Sequence, residues 1–142
     1  MALNILIVDD SAVMRAMIVK TLQISGLPLG ELLQAANGQE GLEIISKNWI
    51  DLVLADINMP EMNGIQMIER IREDSNTAHI PVLIVSSSSG QALSDAVQRL
   101  GAGFIHKPFT PEQLRNQIIQ ITGVSDEQAY TNSSFSGGGF DF

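Results

Sequence analysis

Cysteine is absent from the 142-residue chain, which excludes disulfides, thiolate metal sites and thiol nucleophiles. Basic residues are scarce as well: 8 Lys and Arg face 16 Asp and Glu, a formal charge of −8. A chain so acidic lacks the electrostatic footprint of a nucleic-acid binder or of a protein drawn to anionic membranes. No apolar run approaches the roughly 20 residues of a membrane helix. The opening MALNILIVDD also lacks the order of a secretory leader, so the expected location is cytoplasmic. Aromatics are few, with five Phe, one Tyr and one Trp. Tyr130, Phe135, Phe140 and Phe142 crowd into the last stretch of sequence.

What the chain does have is aliphatic. Its hydrophobic fraction of 44% and its length suit one globular domain with one core. Two regimes divide it. Residues 1–123 alternate short apolar runs with amphipathic stretches and predict a single domain. Residues 124–142, rich in Ser, Gly and Asn and without periodicity, predict a flexible tail.

Within the first regime, strand and helix signals repeat. Ile5–Val8 is a continuous aliphatic run of the kind found in strands buried on both faces. Ser11 then offers an N-cap to a helix with Val13, Met14, Met17, Ile18 and Leu22 at helical spacing. Leu32–Leu33 is a weak second strand, and Asn37–Gly38 leads into a helix with Leu42, Ile44 and Ile45. Leu52–Ala55 is a third strand, followed by a helix on Ile65, Ile68 and Ile71. Pro81 opens a fourth strand, Val82–Val85, and Leu93, Ala96, Val97 and Leu100 form a helical stripe ended by Gly101. Phe104–Ile105 is a short fifth strand, and Pro111 starts a last helix with Leu114, Ile118 and Ile121. Such alternation predicts an α/β fold with a parallel sheet, right-handed crossovers and helices on both faces.

Ligands of open parallel sheets gather at the carboxyl ends of the strands. There the sequence places Asp9–Asp10, Asp56, Ser86 and Lys107–Pro108, each group at its own strand end. Taken singly, each has an ordinary explanation: Asp10 or Ser11 as a helix cap, Ser86 as part of a four-serine loop, Lys107 as a solvated residue. Together they converge on one rim. Three crowded carboxylates repel unless a cation neutralises them, and Mg²⁺ suits carboxylates with water and phosphate oxygens. With a lysine and a hydroxyl added, the set reads as an acceptor for a phosphoryl group.

The text itself resembles the response-regulator receiver domain, and within it the stand-alone chemotaxis type. ILIVDDSAVMR at 5–15, LVLADINMPEMNGIQMIERIR at 52–72, PVLIVSSSS at 81–89 and GAGFIHKPF at 101–109 carry the resemblance, which covers residues 3–123. It implies a flavodoxin-like, doubly wound sheet of five parallel strands in the order 2-1-3-4-5 with five helices. It further implies that Asp56 accepts phosphate from the phosphohistidine of a histidine kinase. Asp9, Asp10, Asp56 and the backbone carbonyl of Asn58 would hold Mg²⁺, and Lys107 would pair with the phosphate. Pro108 would follow a cis peptide bond. Ser86 would be the switch hydroxyl, with Asn58 and Ser88 tuning dephosphorylation. Phe104 has two readings, a switch aromatic or an ordinary half-buried strand residue. Asn63–Gly64, where the family often has Asp-Gly, is expected to serve a turn.

The expected function is that of a signalling protein, not a conventional enzyme. It would be a stand-alone regulator whose phosphorylation changes its grip on a protein target in chemotaxis or motility control. Its target, a flagellar motor switch or a phosphatase, would dock on the face of the fourth helix, fifth strand and fifth helix. Nineteen residues after position 123 are too few for an output domain. A phosphotransfer intermediate or phosphate sink has the same site chemistry and stays open. A metal-dependent phosphatase is disfavoured, since Asn58 stands where a second carboxylate would serve as general acid. The tail, with Gly137–Gly139 before Phe140-Asp141-Phe142, either does nothing or contacts its own domain, a second copy or a partner.

Overall fold

The computed structural model describes residues 2–59 and 62–124. Ten elements alternate along the chain: β1 (Leu3–Val8), α1 (Ala12–Gln23), β2 (Leu29–Ala35), α2 (Gly38–Lys47), β3 (Leu52–Ala55), α3 (Gly64–Glu73), β4 (Val82–Ser86), α4 (Gln91–Arg99), β5 (Gly103–His106) and α5 (Pro111–Thr122). The strands form one parallel sheet in the order β2-β1-β3-β4-β5, as the resemblance implies.

The continuous apolar runs follow from burial on both faces, because successive side chains point to opposite sides of the sheet. Leu6 and Val8, Val53 and Ala55, and Val82 and Ile84 face one layer with Ile45 of α2 and Met67, Ile68 and Ile71 of α3. Ile5 and Ile7, Leu52 and Leu54, and Leu83 and Val85 face the other, with Ile18 and Leu22 of α1 and Leu114 and Ile118 of α5. Registers keep those parities together: Val8 lies opposite Ala55, and Ala55 opposite Ile84.

Helix starts are written in side chains. Ser11 Oγ accepts the Met14 N–H at 3.1 Å, and Asn37 Oδ1 accepts the Glu40 N–H at 2.9 Å. Thr110 and Gln113 form a reciprocal capping box with Pro111 just inside the helix. Helix α4 differs: Gly90 gives it no side-chain cap, and none of its residues is buried. Its expected stripe of Leu93, Ala96 and Val97 is half-buried, and only Leu100 beyond its end reaches the core.

Three expectations change. Strand β2 runs over seven residues instead of the Leu32–Leu33 pair, and its signal is faint because an edge strand leaves Gly30, Glu31 and Gln34 exposed. Asn63–Gly64 is not a free turn: Asn63 caps α3 through a capping box with Gln66, and Gly64 is the first helical residue. Val13 and Met17, placed by periodicity on the core stripe of α1, are 71% and 57% exposed. Ile18 and Leu22 alone are buried there.

Arg72 at the end of α3 ties distant backbone together. Its Nε donates to the Leu100 carbonyl at 2.8 Å, and its Nη1 to those of Ala78 at 3.0 Å and Ile80 at 2.7 Å. Losing several bonds from a charged donor to half-buried carbonyls costs stability, and about 2–4 kcal/mol is expected for Arg72→Ala. Urea unfolding should show a lower midpoint with an unchanged slope. A midpoint unmoved by the substitution contradicts this role.

Candidate functional site

Strand order reverses between β1 and β3, and the loops leaving those strands open a crevice at their carboxyl ends. Asp9 follows β1, its N–H held by the Ala35 carbonyl at 3.1 Å. Asp56 follows β3, its N–H held by the Val8 carbonyl at 3.0 Å. Sheet hydrogen bonding thus extends one residue past each strand and fixes both carboxylates before any side-chain contact is considered. Asp9 and Asp56 are buried, while Asp10 is exposed at the mouth. One carboxylate oxygen from each of Asp9, Asp10 and Asp56 lies within 4.8 Å of the others.

Lys107 comes from the far side. Its N–H bonds the Ser86 carbonyl at 2.9 Å, continuing the β4–β5 ladder in which Ser86 faces His106. Its Nζ stands 3.6 Å from Asp9 Oδ2 and 3.9 Å from Asp56 Oδ1. The Lys107–Pro108 peptide bond is cis, as the resemblance implies.

The charges do not balance. One ammonium meets three carboxylates. Asp9 Oδ1 accepts the Ser11 N–H at 2.8 Å, but Asp9 Oδ2 is buried without a hydrogen bond. Burial pushes the Asp56 carboxyl above its usual range, and the Asp9 carboxylate adds to the push. Lys107 and the N–H groups of Ile57 and Asn58 pull it back only in part. A buried carboxylate oxygen without a hydrogen bond, a second carboxylate raised in pKa by burial and a third open to solvent fit a hard divalent cation with oxygen ligands and water.

The remaining expected residues lie nearby. Ser86 ends β4, fully buried, and its Oγ accepts the Ser88 N–H at 3.0 Å. Ser88 and Asn58 are exposed in the loops beyond β4 and β3. Phe104 is half-buried on β5. It borders a cavity of about 230 Å³ beneath Ser89, Leu93 and Val97, and a shallower one towards Gln113 and Gln117. Its ring centroid is 6.4 Å from that of His106.

Three contributors escape a reading of the sequence. Arg15 Nη1 donates to the Asp9 carbonyl at 2.6 Å and its Nε to Gln34 at 3.0 Å, holding the Asp9–Asp10 peptide from behind. His106 Nε2 lies 3.1 Å from the Ser87 carbonyl and links β5 to the loop after Ser86. Gly64 packs against the acceptor loop, where an added Cβ would collide with the Asp56 carbonyl oxygen and crowd Ile57 Cα at 3.0 Å. All three fall inside the stretches that carry the resemblance.

The family profile described as "Response regulator receiver domain" matches residues 5–119. The chain is 37% identical over 128 residues to the chemotaxis protein CheY1 of Helicobacter pylori, covering 87% of this chain and all of that one. It is 38% identical over 115 residues to the autoinducer 1 sensor kinase/phosphatase LuxN of Vibrio harveyi, covering 81% of this chain and 13% of LuxN. Among solved structures, the chemotaxis protein CheY4 of Vibrio cholerae superposes with a TM-score of 0.77 at 31% identity, covering 85% of this chain and 99% of that one.

Two outcomes follow from the geometry. A carboxyl whose folded pKa is raised subtracts stability as pH climbs from its unfolded value through its folded one, and the loss persists above. Asp56→Asn removes that charge and leaves Lys107 its Asp9 partner, so it should melt higher than wild type at neutral pH in EDTA. Added Mg²⁺ should raise the wild-type melting temperature more than the variant's, and a variant that melts lower in EDTA contradicts the charge imbalance. Gly64→Ala should cost about 1–3 kcal/mol, the usual penalty for overpacking. Its Mg²⁺-induced melting shift should shrink as well; full stability and an undiminished shift would show that the close approach is unimportant.

Proposed function

The chain belongs to the response-regulator receiver family, and on that premise we propose that it is a phosphorylation-controlled signalling protein of chemotaxis. Asp56 takes the phosphoryl group from the phosphohistidine of a histidine kinase. The observation that carries this reading is the unbalanced cluster itself, a lysine between two buried carboxylates with one buried oxygen left without a hydrogen bond.

An Asp56 carboxylate oxygen attacks phosphorus, the phosphorus–nitrogen bond of the donor breaks, and its electron pair returns to the imidazole. The product is an acyl phosphate, and its hydrolysis regenerates the carboxylate and inorganic phosphate. Lys107, already 3.9 Å from Asp56 Oδ1, pairs with the phosphoryl oxygens. Mg²⁺, when bound, offsets the negative charge that otherwise opposes the approach of phosphate. Asp9, Asp10, Asp56 and the Asn58 carbonyl are the groups that would hold it.

Phosphorylation adds about −1.5 to −2 charges and three acceptor oxygens at Asp56. Ser86 then turns its hydroxyl from the Ser88 N–H to the phosphoryl group and draws the β4–α4 loop inward. Phe104 follows into the cavity under Leu93 and Val97. Helix α4, with no buried residue and no side-chain cap, is the element least able to resist. The α4–β5–α5 face is therefore the surface a protein target reads, a flagellar motor switch or a phosphatase. Asn58 and Ser88, exposed beside the acceptor, set how readily water reaches it. In this reading residues 1–123 are the receiver, residues 124–142 a tail, and the protein works in the cytoplasm.

The likeness to part of a sensor kinase/phosphatase supports a second reading, a phosphotransfer intermediate or phosphate sink with no output target. Beryllofluoride, which mimics the acyl phosphate, separates the two. It should raise affinity for a motor-switch peptide in the first reading and leave it unchanged in the second. For the shared chemistry, a small acyl-phosphate donor with Mg²⁺ should add one phosphoryl mass to wild type. Lys107→Ala should accumulate it about 10–100-fold more slowly, the equivalent of one hydrogen bond to a charged group. Equal rates for the two proteins contradict the role given to Lys107.

A further inference from the structure

Val13 and Met17 stand one helical turn apart on α1, and Ile24 continues the stripe at 65% exposure. Beside them Met14, Met17, Ile18, Pro108 and Phe109 line a groove of about 320 Å³ between α1 and the loop before α5. An exposed apolar stripe next to an apolar groove marks a binding surface. We propose that this groove is the docking site of the chain's own C-terminal segment, residues 125–142, through the aromatic side chains of Phe135, Phe140 and Phe142.

Reach, charge and apolar character support this occupant. Val124 at the end of α5 is buried in the same cluster as Ile18 and Leu22, so the segment departs on the α1 side of the sheet. Helix α1 is about 18 Å long at about 1.5 Å per residue, and extended chain covers about 3.3 Å per residue. Roughly six residues therefore traverse the helix, and Phe135 is eleven residues past Val124. The segment carries Asp126, Glu127 and Asp141 and no basic residue, whereas α1 carries Arg15 and Lys20 and no acidic one. The α4–β5–α5 face suits the segment less. Its larger cavity is lined largely by His106, Gln113, Asn116 and Gln117, and α4 and α5 balance Asp95 and Glu112 against Arg99 and Arg115, whereas α1 is purely basic.

The absence of cysteine gives a direct test. A nitroxide is attached to a Ser136→Cys variant of the full chain, and paramagnetic broadening is read at the methyl groups. Val13, Met14 and Met17 should lose most of their intensity, and Leu93 and Val97 of α4 should keep theirs. Adding Phe140→Ser and Phe142→Ser should restore the α1 signals without touching the fold. Broadening at α4, or none above that of a free nitroxide, overturns the proposal. Isotope-labelled chain without the nitroxide, mixed with unlabelled chain bearing it, tests the other occupant. Broadening of α1 in that mixture assigns the groove to a second copy and also overturns it.

Discussion

One lysine ammonium facing two buried carboxylates, with a third at the mouth, is the constraint around which this protein is arranged. Burying charge is costly, and here the compensation is left incomplete. Lys107 stands near both Asp9 and Asp56, yet Asp9 Oδ2 has no hydrogen bond and burial raises the Asp56 carboxyl above its usual range. A domain selected only for stability gains nothing from this arrangement. In the proposed function its value lies in a site that favours added positive charge and then accepts a phosphoryl group, whose oxygens would give Lys107 and Ser86 new partners.

The fold meets that constraint with backbone. The Ala35 and Val8 carbonyls hold the Asp9 and Asp56 amides, and the Ser86 carbonyl holds that of Lys107. The charged groups thus sit one residue beyond strands anchored by two apolar layers. Arg15 secures the Asp9 carbonyl, and Gly64 lets α3 approach the Asp56 carbonyl more closely than any side chain allows. Rigidity on this side contrasts with α4, the helix that packs only half-buried side chains. A firmly held acceptor beside a loosely held helix is the combination a switch requires.

Much of this was legible in the sequence, for physical reasons that also explain what was not. Ile5–Val8, Leu52–Ala55 and Val82–Val85 are uniformly apolar because both faces of the sheet are covered, so central strands declare themselves. Edge strand β2 does not, since Gly30, Glu31 and Gln34 face solvent. Asp9, Asp10, Asp56 and Lys107 were found because strand ends share one rim whatever the details of packing. Periodicity placed Val13 and Met17 on the core side because it detects an apolar stripe and not its neighbour; the buried face of α1 is narrower than its apolar face. Asn63–Gly64 resembled a turn, for a cap and a turn use the same residue types. Arg15, Arg72 and His106 act through carbonyls brought close only by folding, and local pattern holds no record of those. Val124, read from composition as the first residue of the tail, is buried in the core, and the rest of the tail lies outside the described residues.

The central claim is that, of three carboxylates within 4.8 Å of one another, Asp56 is the one that becomes an acyl phosphate. Borohydride reduces an aspartyl phosphate to homoserine and so marks its position permanently. After treatment with a small acyl-phosphate donor, reduction and peptide mass spectrometry should find homoserine at position 56 when Mg²⁺ is present and none when it is chelated. Homoserine at position 9 or 10, or modification at position 56 that is indifferent to Mg²⁺, would contradict the account.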